Sequence, residues 1–560
     1  MTMQYFIPFW PGDDIYETFN PWTDKYSGTQ KRIWECFNKP PIDGVLVSRV
    51  NIEGTNHLKQ KAEKEGIHAA LGFYGPIMGD CGAFSYVDDP EPRYDALQTL
   101  SFYKDLGFDI GVTVDHLIVK TVKVSGKERR PLTDAEKEER WKLTIENAKK
   151  MFDEAQKTRY EGIRLIGISQ GWDEESYARG IRELLEYGFN YVGLGGLAKK
   201  PTITIQKILF RVHKEIKEHL KKKREKIHCW PRIGLHLFGV ARKDLFTTML
   251  QCGVTSFDSA SPLRMAWTSG NKNYMMNEHF YTAIRIREAK NEKEKLQEKI
   301  IFQKLEDFVH GRVTADEFAT ILKDYDPKGF SSREKDVLRT LNDKPWEKCD
   351  CPICTEIGLH VCIFRGCERN MRRGFHNVYH FNRILKKKYP RILAFTWCTS
   401  EKDHSEKLLP AYMRYSASNI FKTFWENVHD LPIEIGVLSG KYMLISWDTM
   451  IPYYEQRLTS ETLLDAIRDL KNKLRFYDKV FFIGLGSYRE AVEKASSSLD
   501  VPIEIFPKPE LSRGKLDVIE YNRQMKNFRE AILNEIKSYY DLFLTKNVIQ
   551  CKKYKQTTLV

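Results

Sequence analysis

The stretch that decides the fold is IRLIGISQGWDEESYARGIRELLEYGFNYVGLGGLA, residues 163–198. Its apolar run at residues 163–168 predicts a β-strand, the amphipathic segment at 175–187 predicts a helix, and the run at 191–194 predicts a second strand. This order is typical of parallel strands joined by a crossover helix. The stretch therefore predicts one β/α unit of a parallel sheet.

The same alternation continues on both sides of this unit. Further strands are predicted at residues 44–49, 69–74, 110–114, 233–237 and 254–257, and further helices at 139–157 and 204–222. Seven or eight such units close into a TIM barrel. We therefore predict the α/β class, with a TIM (β/α)8 barrel.

The chain has 560 residues, which is too long for one compact core. We expect residues 1–390 to form the barrel domain, with a helical insertion at about 275–348 and a zinc-binding segment at 349–388. The insertion is either a surface helical hairpin or an arm that contacts nucleic acid. Residues 391–560 contain a second set of strand and helix patterns and predict a smaller C-terminal α/β domain, to which the sequence assigns no role.

The charge balance suits a polyanionic partner. Lys and Arg number 89 against 76 Asp and Glu, a net charge of +13, although a merely basic enzyme would show the same excess. Residues 221–226 and 372–388 are basic stretches that can contact nucleic acid, although a solvated helix face is the better interpretation of the first. No apolar run approaches the roughly 20 residues of a membrane helix, and no signal peptide is apparent, so we expect a cytoplasmic protein without a membrane partner.

Polar residues or glycine follow five of the predicted strands. They are Asp80, Asp115, Gln170, Gly196 and Asp258. One Asp after a strand is more often a helix N-cap than a catalytic group. Five such positions at the carboxyl ends of barrel strands, however, indicate an active site.

The residues around these positions resemble the motifs of the tRNA-guanine transglycosylase family, in the family's order. The matching segments are DCGAF (80–84), ISQG (168–171), GGLA (195–198), HLFGV (236–240) and FDSAS (257–261). The first segment departs from the family pattern at its second and fourth residues. The last two resemble the archaeal forms, and the resemblance spans roughly residues 40–390.

The resemblance implies a covalent base exchange. Asp258 would attack the anomeric carbon of a nucleotide, expel guanine and hold the sugar as a glycosyl-enzyme, as retaining glycosidases do. Asp80 would accept the proton of the incoming base. The glycosidic bond would then be restored with retained configuration.

The resemblance also implies a pocket that recognises the edge of a guanine-like base. Asp115 can accept hydrogen bonds from the ring N–H and the exocyclic amine, while the Gln170 amide and the backbone N–H of Gly196 can donate to the carbonyl. The backbone carbonyl of Leu197 would face the substituent on a 7-deazaguanine base.

Two aromatic side chains complete the predicted pocket. Phe84 and Phe238 would stack on the two faces of the base, although for each ring alone a place in the barrel core is the better interpretation. His116 and His236 are expected to be structural and receive no role.

Crowded cysteines predict a structural zinc site. Cys-x-Cys-x-x-Cys at residues 349–354 has the spacing of three thiolate ligands, and a downstream His would complete a tetrahedron. The family pattern favours His376, followed by Asn377, as the fourth ligand, although His380 fits the family spacing better. Cys362 and Cys367 are rival ligands. The predicted set is Cys349, Cys351, Cys354 and His376.

The sequence is compatible with either DNA or tRNA as the nucleic-acid substrate. The archaeal-like motifs, the altered 80–84 loop, the long insertion and the unfamiliar C-terminal region favour the DNA 7-deazaguanine transglycosylase type, which inserts 7-cyano-7-deazaguanine into DNA, over a tRNA-modifying enzyme. A non-catalytic nucleic-acid-binding subunit is a third possibility, disfavoured because both Asp80 and Asp258 are present. Other proteins of a DNA-modification system are possible partners.

Overall fold

A computed structural model describes residues 3–125, 128–224, 232–507 and 518–554. The chain divides into two compact units. The first, here called the barrel unit, comprises residues 1–9, 43–259 and 386–560, and the second, here called the inserted unit, comprises residues 10–42 and 260–385.

The barrel unit contains a closed barrel of parallel strands. In chain order the strands are β1 Gln4–Pro8, β2 Gly44–Ser48, β3 Ile77–Asp80, β4 Ile110–Val112, β5 Arg164–Ser169, β6 Tyr191–Leu194, β7 Gly234–Leu237 and β8 Ser256–Asp258. Each strand pairs with its neighbours in chain order, and β1 closes the ring by pairing with both β8 and β2. This arrangement confirms the predicted TIM barrel.

Two of the barrel strands differ from the sequence prediction. The strand predicted at residues 69–74 was wrong, because Ile67–Leu71 is a helix that ends at the left-handed residue Gly72 (φ 61°), and β3 begins only after Pro76. The short strand β1 was not predicted. The β/α unit predicted for residues 163–198 is confirmed, with helix Glu174–Tyr187 between β5 and β6.

Helices surround the barrel and side chains fill it. The helices are Arg49–Glu53, Asn56–Glu65, Ile67–Leu71, Ala96–Leu106, Asp134–Lys157, Glu174–Tyr187, Thr202–Arg224 and Phe246–Gln251. The buried interior includes Phe6, Leu46, Met78, Ile166 and Tyr191. The strand ends are therefore held by a packed core.

The C-terminal part of the barrel unit forms a second sheet, in agreement with the predicted α/β pattern. Its strands are β9 Ile392–Trp397, β10 Glu434–Ser439, β11 Met443–Ser446, β12 Lys479–Ile483 and β13 Ile503–Phe506, and their spatial order is β11-β10-β9-β12-β13. Only β11 runs antiparallel to its neighbour. The accompanying helices are Ala411–Arg414, Asn419–Val428, Leu463–Leu474, Gly486–Ser496 and Val518–Tyr554.

The inserted unit is mainly helical. Its helices are Ser261–Thr268, Glu292–Val309, Ala315–Tyr325, Pro327–Ser331, Glu334–Asp343 and Pro352–Ile357, together with most of Gly366–Lys388. Two antiparallel hairpins, Ile15–Asn20 with Lys25–Lys31 and Tyr274–Met276 with His279–Tyr281, and the short parallel pair Ile284–Arg285 with Ile363–Phe364 complete it. Among the described residues of the whole chain, none of the helices is both long and apolar enough to cross a membrane.

Candidate active site

The carboxylate of Asp258 lies at the carboxyl end of β8 and is almost fully buried. Its Oδ1 accepts a hydrogen bond from the backbone N–H of Gly239 at 3.0 Å and lies 3.3 Å from Nε2 of His236. Within the described residues, no hydrogen bond reaches Oδ2. Asp258 therefore has one oxygen held by the protein and one free for a substrate.

The contact of His236 with Asp258 was missed by the sequence analysis, which assigned His236 no role. His236 is fully buried, and its ring lies 4.3 Å from that of Phe238, centroid to centroid. The contact depends on the pairing of β7 with β8, which places His236 opposite Ser256, two residues before Asp258 and on the same face of the strand.

Asp80 ends β3, the strand that pairs with β2. Its Oδ1 accepts from the backbone N–H of Gly82 at 2.9 Å, and the Ser48 side chain donates to the same carboxyl group. Removal from water and the nearby charges of Asp115 and Asp258 raise the pKa of Asp80 to about 6, against the effect of these hydrogen bonds. Asp80 can therefore exchange a proton near neutral pH.

Asp115 and Gln170 lie together below the surface. Nε2 of Gln170 donates to Oδ2 of Asp115 at 2.5 Å, and the Cys81 thiol lies 3.4 Å from Oδ1. Burial raises the pKa of Asp115 to about 6, although both contacts oppose the shift. Oε1 of Gln170 is buried without a hydrogen-bond partner among the described residues. An unsatisfied buried amide oxygen points to a missing donor.

The turn after β6 packs directly against Gln170. A Cβ atom at Gly195 would lie 2.1 Å from Nε2 of Gln170, and Gly196 has a φ of 68°, so both positions require glycine. The Leu197 side chain is fully buried, and its backbone carbonyl already accepts from the N–H of Lys200 at 2.9 Å.

The two predicted stacking residues have different surroundings. The ring of Phe84, on the short helical turn Ala83–Tyr86 after β3, is 65% exposed. Phe238 is half-buried and packs against the barrel core. Phe84 is therefore free to meet a ligand, while Phe238 is held in one orientation.

In the inserted unit, four side chains form a candidate metal centre. The ligand atoms of Cys349, Cys351, Cys354 and His376 lie within 4.8 Å of one another, and all four residues are buried. Nδ1 of His376 lies 3.2–3.6 Å from the three sulfurs. This cluster can bind a metal ion such as zinc.

The surrounding contacts distinguish the two candidate histidines. Nε2 of His376 donates to the Met275 carbonyl at 2.6 Å, which leaves Nδ1 free for a metal. His380 contacts only one of the three sulfurs, that of Cys349 at 3.1 Å, and its Nδ1 accepts from the N–H of Asn277. Of the rival ligands, Cys367 is exposed, and Cys362 is buried outside the cluster.

The basic stretch at residues 372–388 is in part a structural element. Arg372 and Arg373 are fully buried, and Arg373 donates to the Ala266 carbonyl at 2.7 Å, so the first residues of this stretch cannot contact nucleic acid. Lys387 and Lys388 are exposed. In the stretch 221–226, residues 221 and 222 are exposed, and residues 225 and 226 lie outside the described residues.

The sequence is similar to known transglycosylases. Residues 44–301 match the sequence pattern of the family described as queuine tRNA-ribosyltransferase (TGT). The DNA-guanine transglycosylase of Salmonella montevideo is 32% identical over 369 residues, which cover 60% of this chain and 85% of that protein. The chain belongs to the tRNA-guanine transglycosylase family.

Other members of the family match shorter segments. The tRNA-guanine(15) transglycosylase of Methanopyrus kandleri is 31% identical over 78 residues, which cover 14% of this chain and 17% of that protein. The tRNA-guanine(15) transglycosylase of Thermoplasma acidophilum is 26% identical over 226 residues, which cover 40% of this chain and 32% of that protein. As a member of this family, the chain is a pentosyltransferase, and its barrel bears three carboxyl groups at one end.

Proposed function

We propose that this transglycosylase replaces guanine in DNA with a 7-deazaguanine base, preferably 7-cyano-7-deazaguanine, through a covalent glycosyl-Asp258 intermediate. The observation that carries the proposal is the pair of carboxyl groups at the barrel mouth: Asp258 with one free oxygen, and Asp80 with a pKa raised to about 6. A nucleophile and a proton carrier are the two groups that base exchange needs.

The exchange takes place in two displacements. Oδ2 of Asp258 attacks C1′, the C1′–N9 bond breaks, and its electron pair leaves with guanine, which takes a proton from Asp80. The incoming base then loses its N9 proton to Asp80, attacks C1′ and releases the Asp258 carboxylate. Two inversions at C1′ give net retention.

The base pocket is built from the groups below Asp80. Asp115 accepts from the ring N–H and the exocyclic amine of the base, and the second N–H of the Gln170 amide and the N–H of Gly196 donate to its carbonyl. Phe84 and Phe238 stack on the ring. The hydrogen bond from Gln170 to Asp115 supports this assignment, because it places the amide and the carboxylate side by side, where both can face the edge of one base.

DNA is the proposed polymer because the match covers 85% of the DNA-guanine transglycosylase of Salmonella montevideo. The matches to the tRNA-guanine(15) transglycosylases of Methanopyrus kandleri and Thermoplasma acidophilum cover only 17% and 32% of those proteins. The target nucleotide must be flipped out of a duplex, at a cost of a few kcal/mol that contacts with a basic surface offset. The net charge of +13 suits such contacts.

We further propose that the Cys349–Cys351–Cys354–His376 cluster holds a structural zinc ion, and that the protein acts in the cytoplasm.

The first test concerns the nucleophile. We expect Asp258→Asn to abolish both label exchange and the covalent adduct with DNA, which denaturing gels detect, because an amide does not attack C1′. Asp105→Asn is the matched control, since Asp105 is exposed on helix Ala96–Leu106. An adduct formed by the Asp258→Asn variant would remove Asp258 from this role.

The second test concerns the polymer. The purified protein is incubated with labelled guanine or 7-cyano-7-deazaguanine and with either duplex DNA or bulk tRNA. We expect label in DNA. Label in tRNA alone would favour the second candidate, a tRNA-guanine transglycosylase, which the likeness to the tRNA-guanine(15) enzymes supports. Binding of nucleic acid without label in either polymer would indicate a non-catalytic subunit.

A further inference from the structure

A chain of polar side chains runs through the barrel interior from the nucleophile towards the opposite end. Nδ1 of His236 lies 2.8 Å from Oγ of Ser256, and this Oγ lies 2.5 Å from the hydroxyl of Tyr191. His236, Ser256 and Tyr191 are each at most 1% exposed. Buried polar groups among apolar side chains are costly unless they are paired, so we expect this series of hydrogen-bonded side chains to have a function.

The hydrogen-bond directions follow from the carboxylate. Asp258 accepts only, so Nε2 of His236 must carry the proton that faces Oδ1. In the neutral imidazole Nδ1 is then the acceptor, and Ser256 donates to it. Because Ser256 has a single hydrogen, its oxygen accepts from Tyr191. The hydrogen bonds donated by Tyr191, Ser256 and His236 therefore all point towards Asp258.

We propose that Tyr191, Ser256 and His236 form a positioning relay, which holds an N–H group against Oδ1 of Asp258 and stabilises this carboxylate as it leaves the sugar. The inference rests on the proposed glycosyl-Asp258 intermediate. When the ester bond C1′–Oδ2 breaks, its electron pair returns to the carboxylate, whose negative charge is shared with Oδ1. Two donors, His236 and the N–H of Gly239, meet that charge.

The relay variants give a pattern that loss of packing does not produce. His236→Phe keeps a ring against Phe238 but removes the donor, and we expect base exchange to fall about 100-fold, as for loss of one donor to a developing anion. His236→Gln restores an N–H donor and should recover activity to within about 10-fold of the wild type. Ser256→Ala should cost about 10-fold, as for a group that orients another.

The diagnostic measurement is the covalent adduct. Because the relay assists departure of Asp258, we expect the adduct with DNA to accumulate in His236→Phe and Ser256→Ala while exchange slows and the Kd of the incoming base stays unchanged. Tyr103→Phe is the control for Ser256→Ala, because it also removes a buried hydroxyl, one that donates to the Val112 carbonyl away from Asp258. Tyr103→Phe should leave the fraction of adduct unchanged.

The outcomes separate the relay from the proposed function. Two results for Ser256→Ala would overturn the relay, provided that Asp258→Asn is inactive. One is a fall in the amount of adduct together with the rate of exchange, and the other is exchange at the wild-type rate. An active Asp258→Asn variant would instead overturn the proposed function. If His236→Phe does not fold, Ser256→Ala, which removes a single oxygen, decides the question.

Discussion

At the scale of single residues, Asp80 and Asp115 make the active site sensitive to pH. The pKa of each is raised to about 6, chiefly by burial. In the proposed mechanism Asp80 must be ionised to accept the proton of the incoming base, and Asp115 must be ionised to accept from the donors of that base. Below about pH 6, both functions are lost together.

We expect kcat/KM for the incoming base to be level above pH 6 and to fall about 100-fold per pH unit well below it, because two carboxyl groups must both be ionised. Asp80→Asn should lower kcat at every pH, whereas Asp115→Asn should mainly raise KM, because Asp115 contacts the base and not its N9 proton. Steady-state rates at several pH values test both expectations. A profile that is unchanged in both variants would contradict the assignment.

The same raised pKa values affect stability in the opposite direction. A carboxyl group whose folded pKa lies above its unfolded value binds its proton more tightly in the folded state. The free energy of unfolding should therefore decrease as the pH rises from about 4 to about 6, and Asp115→Asn should reduce this dependence. In the proposed mechanism the site is thus most active in the pH range where these groups destabilise the fold, as is common for functional sites.

The candidate active-site residues could be predicted from the sequence more readily than their contacts. Asp258 and Asp115 could be located because each follows a strand whose apolar pattern is clear, whereas Asp80 was located by its motif, since the strand predicted before it was wrong. The role of His236 could not, because its position beside Asp258 depends on the pairing of β7 with β8. Neither residue's own neighbours in the sequence show that register.

At the scale of elements, helix Gly366–Lys388 is attached to the cysteine cluster through His376. We expect about one zinc ion per chain, as for tetrahedral Cys3His sites. Cys351→Ser and His376→Ala should lose it, whereas His380→Ala should retain it, because only His376 faces all three sulfurs. Elemental analysis of the purified variants measures this directly.

Metal removal should also destabilise the inserted unit. Chelation should lower its melting temperature by on the order of 10 °C, because the three buried thiols would lose their common partner. The melting of the wild-type protein with and without chelator gives the comparison, and zinc addition should reverse the effect. Metal-free protein that melts unchanged would contradict a structural zinc site.

Elements with a clear period were predicted well, and those set by short local signals were not. Helix Glu174–Tyr187 and strand β6 agree with the sequence to within a residue, because the apolar spacing changes from helical to continuous between them. The apolar residues 69–71 were wrongly predicted as part of a strand, since a run this short fits either structure. Strand β1 is held by its pairing with β8 and β2, which no local pattern reveals.

At the scale of the whole barrel unit, C-terminal elements contact the amino ends of the barrel strands, opposite the active site. Gln4 at the start of β1 donates to Glu434 at the start of β10 at 2.9 Å. Asp43, just before β2, lies 2.6 Å from Nζ of Lys386 and 3.5 Å from Nη1 of Arg391. The domain boundary at residues 390–391 stays a prediction, and we propose that residues 391–560 support the barrel from this side.

Another of these contacts joins Arg164 at the start of β5 to Asp448. Nε of Arg164 lies 2.7 Å from Oδ1 of Asp448, Nη2 donates to Oδ2 at 2.8 Å, and the Asp448 side chain is fully buried. The guanidinium also lies 4.9 Å from the ring centroid of Tyr191, the far end of the relay. The C-terminal part of the chain thereby contacts the barrel interior.

We expect Asp448→Asn to lower the free energy of unfolding by about 3 kcal/mol, because it removes the carboxylate that is hydrogen-bonded to the buried Arg164 guanidinium. Asp465→Asn is the control: its pair with Arg468 is exposed and 3.5 Å long, so its loss should cost less than about 0.5 kcal/mol. The double variant Arg164→Met/Asp448→Leu should be more stable than Asp448→Asn alone, since both charges are removed. Urea unfolding of the three variants tests this order, and equal losses for Asp448→Asn and Asp465→Asn would show that the C-terminal part does not support the barrel through this ion pair.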